Sequence, residues 1–213
     1  IDGVDGLAAS VGILASSVLG FWFYSAGVTQ YSILASCMTG ALVGFLYYNR
    51  SPAKIFMGDT GSLIVGVILS ILAIKFIEMN RVLDRFHPNK VLAVPVVTLA
   101  ILVIPLFDTL RVFTIRILQG RSPMSADRNH IHHLLLSLGF SHTQTTLSLV
   151  AFNAVVVGLI FYFQWVKGEI LLAALLGVCI LISSYVAFLV RKKTAGLVSQ
   201  TFATSDDKEE HIQ

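Results

Sequence analysis

The chain has 213 residues, 55% of them hydrophobic and only 13% charged. An ordinary soluble domain carries roughly 25% charged residues, so the composition excludes that class. The formal net charge of +3 does not point to nucleic acid, because the basic residues sit at the edges of apolar runs.

The chain opens on Ile1-Asp2-Gly3-Val4-Asp5-Gly6, without an initiator methionine and without a signal peptide. A chain beginning inside a polar motif is expected to belong to a longer one. Apolar runs follow at 7–25, 31–48, 62–77, 91–107, 143–166 and 170–190. Lys75 is the one charged residue among them. A helix needs roughly 17 to 25 apolar residues to cross a bilayer, and the alternation of a barrel strand is absent. The expected fold is therefore all-α, a polytopic integral membrane bundle of six transmembrane helices. Residues 1–193 form the membrane domain, and the polar segment 194–213 is expected to be an unordered tail. Cys37 and Cys179 lie inside apolar runs and read as packing residues.

The flanks of six spans alternate between two sides. The side of the opening segment holds Arg50, Lys54, Arg111, Arg116, Arg121, Arg128, Arg191, Lys192, Lys193 and Lys208. The other holds Arg81, Arg85, Lys90 and Lys167. The positive-inside rule assigns the first side to the cytoplasm. Every segment with chemical character falls on it. A transporter would instead place polar groups near the midplane, where only Asn153 stands out, and a lone buried Asn reads as a link between helices.

Three segments can carry chemistry. Asp2 and Asp5 stand three apart, each followed by glycine, before the first span. They either line a ligand cleft or favour the positive end of that helix. In Phe56-Met57-Gly58-Asp59-Thr60-Gly61-Ser62, two glycines bracket Asp59 where the third span begins. Asp59 is a hard oxygen ligand suited to magnesium, or else, with Thr60 or Ser62, part of a helix cap. The segment 127–133 places Arg128, His130, His132 and His133 close together. Arg128 suits bidentate phosphate contact and the imidazoles can donate to phosphate or a base. Zinc is the rival reading, weakened by the difficulty of converging three adjacent histidines on one ion. Arg111 and Arg116 continue the fourth helix, for phosphate or lipid headgroups.

Taken together, these stretches resemble the polyprenyl-phosphate N-acetylhexosamine-1-phosphate transferase family. The opening is similar to the end of that family's Asn-x-x-Asn-x-x-Asp-Gly-x-Asp-Gly-Leu loop, and residues 56–63 to its Phe-Met-Gly-Asp-x-Gly-Ser-Leu loop. Ser122-Pro123 with residues 127–133 resembles its Ser-Pro…Asp-Arg-x-His-x-His-His segment. The Arg-x-His-x-His-His form is closer to the branch transferring N-acetylglucosamine-1-phosphate from UDP than to the muramoyl-pentapeptide branch of peptidoglycan synthesis.

The resemblance implies a bacterial inner-membrane enzyme with cytoplasmic loops, taking a UDP-sugar and undecaprenyl phosphate as partners, among membrane lipid and without nucleic acid. It implies magnesium, with manganese as the alternative, held by Asp59. Asp2 and Asp5 would serve the reacting groups, and Arg128, His130, His132 and His133 would bind the nucleotide-sugar. A homodimer is left open. The family's adjacent aspartate pair on an earlier loop is missing from this sequence, so the chain alone is expected to be inactive. A lipid-linked sugar transporter is the competing class.

Overall fold

The computed structural model describes residues 3–122 and 130–210, without the side chains of 195–210. Among the described residues there are eight helices and no strand. They are α1 (Leu7–Ser25), α2 (Thr29–Asn49), α3 (Gly58–Val82), α4 (Val94–Ile101), α5 (Val103–Leu118), α6 (Ile131–Leu138), α7 (His142–Tyr162) and α8 (Gly168–Glu210). The all-helical expectation holds.

Five helices are long and apolar enough to cross a bilayer: α1, α2, α3, α7 and the part Gly168–Thr194 of α8. The expected fourth span is instead a broken one. α4 and α5 meet at 81° around Leu102. Pro105 explains the break, since it has no N–H to give and its ring collides with the carbonyl four residues back, that of Ile101. The freed carbonyl finds a partner in Asn153 of α7, whose Nδ2 donates to it at 3.3 Å. Asn153 is fully buried and links two helices, as its position suggested. The bend also leaves Asp108 and Arg116 of α5 buried, at 3% and 6% exposure.

α1 forms the centre, packed by α2, α3, α4 and α7. Leu7, Val11, Ala15, Leu19 and Phe23 recur every four residues and are all buried. α1 and α2 run antiparallel and close together. A Cβ on Gly20 would stand 3.0 Å from that of Ala35, and the Ser16 and Thr39 hydroxyls share a hydrogen bond of 2.8 Å. In lipid, such close packing and interhelical hydrogen bonding drive association, because the tails are as apolar as the side chains. Tyr47, Leu63, Ile74, Leu181 and Phe188 point outward and are exposed. Exposed apolar side chains of that number suit an apolar surrounding rather than water.

One end of the bundle is held by polar locks that have no catalytic character. Asn80 clamps Val91, donating from Nδ2 to its carbonyl at 2.9 Å and accepting its N–H at 2.8 Å. Lys90 donates to the carbonyls of Asn80 and Leu83 and so closes the end of α3. Trp22 Nε1 donates to Asn89 O at 2.9 Å. α8 continues as helix to Glu210, through the segment read from composition as an unordered tail; no proline follows Pro123 to interrupt it.

Candidate active site

The opposite end gathers the starts of α1, α3, α6 and α7 around the end of α2. The turn into α1 places Gly6 at φ +76°, a left-handed conformation that a residue with a Cβ adopts only under strain. Its N–H is accepted by Asn49 Oδ1 at 3.0 Å, while Asn49 Nδ2 donates to Ile55 O at 2.8 Å. One buried amide thus joins the first loop to the loop before α3.

Asp5 is held through its backbone and one carboxylate oxygen. Its N–H donates to His142 Nδ1 at 3.3 Å, its carbonyl accepts the Thr146 hydroxyl at 2.9 Å, and its Oδ2 accepts Ala53 N–H at 3.3 Å. Oδ2 also lies 3.7 Å from His142 Nδ1. These contacts orient the carboxylate without burying it fully, since its side chain keeps 17% exposure. Gly3 lies against the histidines: a Cβ there would stand 3.2 Å from His132 Nε2 and 3.6 Å from His133 Nε2. The glycine lets backbone approach the imidazoles.

His130 precedes α6, and His132 and His133 occupy its first turn. The rings of His130 and His132 stack with centroids 5.4 Å apart, and those of His132 and His133 lie 4.5 Å apart. His132 is buried, and burial, reinforced by the neighbouring His133, pushes it down to about 3 from the usual 6.5. Asp108 closes the cluster from α5. Its Oδ1 accepts the Ile131 N–H at 2.9 Å, and its Oδ2 lies 2.9 Å from His130 Nδ1 and 3.7 Å from His132 Nδ1.

Asp59 sits in the first turn of α3, after Gly58, and is exposed. It meets no side-chain partner among the described residues, and Ser62 binds its backbone carbonyl rather than capping the helix. The structure therefore sets Gly3 of the opening turn against His132 and His133 and ties Asp5 to His142 and to the loop before α3, while Asp59 stands at the head of α3 without a side-chain partner among the described residues. Among the described residues no three acidic, histidine or cysteine side chains gather as a metal cage. Asp2 and Arg128 lie outside the described residues.

Beside Met57 an apolar groove of about 640 Å³ opens between α1, α3 and the bent α4–α5 pair, lined among others by Ala8, Val65, Leu69, Leu102 and Leu106. Arg116, expected near phosphate or headgroups, is buried with its guanidinium 5.9 Å from the Phe113 ring. Lys193 donates to Ser137 O at 3.0 Å and closes the end of α6.

Sequence reasoning missed Asp108, Asn49 and His142. Asp108 carried a usable signal: a carboxylate set between Phe107 and Leu110 at the end of an apolar run is costly unless partnered. Asn49 and His142 carried none, because their partners lie 43 and 137 residues away.

A multi-pass helical membrane protein with an acid–histidine cluster at one end is the class that fold and site define. Residues 1–77 match glycosyl transferase family 4. It is 38% identical over 148 residues to a probable undecaprenyl-phosphate N-acetylglucosaminyl 1-phosphate transferase of Bacillus subtilis, covering 69% of this chain and 38% of the relative. It is 34% identical to the decaprenyl-phosphate N-acetylglucosaminephosphotransferase of Mycolicibacterium smegmatis, over 72% of this chain and 42% of the relative. Identity to the undecaprenyl-phosphate alpha-N-acetylglucosaminyl 1-phosphate transferase of Escherichia coli (strain K12) is 30%, over 84% and 50%. The chain thus spans about half the length, or less, of these curated relatives. No solved structure matches it.

Proposed function

We propose that the protein containing this chain transfers N-acetylglucosamine-1-phosphate from a UDP-sugar to undecaprenyl phosphate, releasing UMP. An oxygen of the lipid phosphate forms a bond to the sugar-bearing phosphorus of the donor. The bond from that phosphorus to the bridging oxygen breaks, and UMP leaves with that oxygen. The observation that carries this reading is the packing of the DGVDG turn onto His132 and His133, with Asp5 held by His142 and the loop before α3. The names of the relatives favour it over the peptidoglycan branch and over a transporter.

Both reactants are anions, so positioning and charge neutralisation supply most of the catalysis. Asp59 fits a magnesium site by its chemistry: magnesium commonly takes one or two carboxylates and completes its shell with water and substrate phosphates, and Asp59 is an exposed carboxylate with no other partner among the described residues. Bound there, the ion would neutralise charge on the diphosphate. His130, His132 and His133, with Arg128, serve donor binding, and Asp2 and Asp5 serve the reacting groups. The apolar groove beside Met57 supplies a track for the acceptor's hydrocarbon next to this end. The loops at this end face the cytoplasm of the bacterial inner membrane, following the distribution of Lys and Arg.

The test is transfer of label from UDP-N-acetylglucosamine to a lipid-soluble product by the natural protein reconstituted with undecaprenyl phosphate. Asp59→Asn is expected to lower turnover at least about 100-fold, with chelation of divalent ions doing the same to the wild type. Unchanged turnover in Asp59→Asn would remove Asp59 from the mechanism.

A further inference from the structure

Asp108 has no place in the chemistry proposed above, yet its side chain is 4% exposed and both its oxygens are engaged by the histidine segment. We propose that Asp108 is a positioning residue that fixes the His130 ring and the start of α6, so that His130 turns Nε2 toward the nucleotide-sugar. This inference rests on donor binding at the histidine cluster.

The carboxylate accepts two donors at once. Oδ1 takes the Ile131 amide, the first N–H of α6, and so replaces the side-chain cap that α6 lacks in its own sequence. Oδ2 faces His130 Nδ1 at 2.9 Å. A carboxylate can only accept, so Nδ1 must carry the proton of that contact. Whatever the charge of the ring, Nε2 is then the nitrogen left for a ligand. His130 in turn stacks on His132 with planes 11° apart, so fixing one ring orients the next.

α6 has eight residues, too few to hold a helix by themselves. It is secured at both termini by charges of the favourable sign: Asp108 at the amino end and Lys193 Nζ, donating to Ser137 O, at the carboxyl end. The break at Leu102 sets the direction of α5 and with it the position of Asp108. A bent membrane span thereby holds a catalytic loop in place.

Asp108→Asn separates the two duties. Its amide oxygen can still accept from Ile131, while its NH₂ would donate to Nδ1 and reverse the His130 tautomer. The experiment uses the natural protein in nanodiscs with ¹⁵N-labelled histidine, His130 being assigned by comparison with His130→Gln. The wild type is expected to show a protonated Nδ1, and Asp108→Asn an unprotonated one. In Asp108→Asn, kcat/KM for UDP-N-acetylglucosamine is expected to fall about 10–100-fold, the loss common for residues that orient a functional histidine. KM for undecaprenyl phosphate should stay within about twofold, since the acceptor is not bound by this cluster. An unprotonated Nδ1 in the wild type overturns the proposal, and so does an Asp108→Asn enzyme whose donor kcat/KM stays at the wild-type value. If Asp108→Asn does not fold, the wild-type tautomer decides alone. A wild type that transfers nothing would remove the proposed function, while the ¹⁵N spectrum would still decide the role of Asp108.

Discussion

Asn49, 6% exposed at the end of α2, holds two loops with one side chain. Asn49→Ala leaves the Gly6 N–H without its acceptor and the Ile55 carbonyl without its donor. It is expected to lower stability by about 1–3 kcal/mol, read as a drop in the thermal midpoint in detergent. Turnover should fall as well, because the turn bearing Asp5 and the loop leading to Asp59 lose their common tie. His132 makes a prediction about acid. Its buried ring stays neutral down to about 3, whereas an unfolded histidine takes a proton near 6.5. Below 6.5 the unfolded chain therefore binds the extra proton. The stability contributed by the neutral ring is complete above 6.5 and declines as pH falls from there toward 3. Thermal midpoints at pH 7.5 and 5 should differ in the wild type and differ less in His132→Gln. Equal differences in the two would remove the role given to this ring.

At the scale of elements, six apolar runs were legible because spanning length is a strong signal, and five of them are single unbroken helices. The remaining run, 91–107, looked equally continuous. Its break was written in Pro105, whose missing N–H frees the Ile101 carbonyl, but hydrophobicity alone is blind to that. The same blindness hid Asp108, because the run was taken to end at Phe107. Asn153→Val tests the link across the break. Removing the donor to Ile101 O is expected to cost about 0.5–2 kcal/mol, the range for interhelical hydrogen bonds in membranes. A variant as stable as the wild type in denaturant titration would show that the contact carries nothing. The tight α1–α2 pair gives the opposite kind of test. Gly20→Leu pushes a side chain into Ala35 and is expected to destabilise by about 1–3 kcal/mol through overpacking.

At the scale of the whole molecule, the chemistry is segregated. One end carries locks made of Asn80, Lys90 and Trp22. The other carries Asp5, Asp59, Asp108 and four histidines on separate elements. The motifs DGVDG, FMGDTGS and the histidine segment were readable as short strings, and the alternation of spans placed them together. What no string could tell was which atoms meet, since Gly3 reaches His132 across most of the chain. The central claim is that this end serves transfer of a sugar-1-phosphate, in which the bond broken lies between the two phosphates of the donor. Identifying the nucleotide released by the reconstituted natural protein from UDP-N-acetylglucosamine tests it most directly. One UMP is expected for each lipid-linked product formed; release of UDP, or lipid product without UMP, would contradict that chemistry.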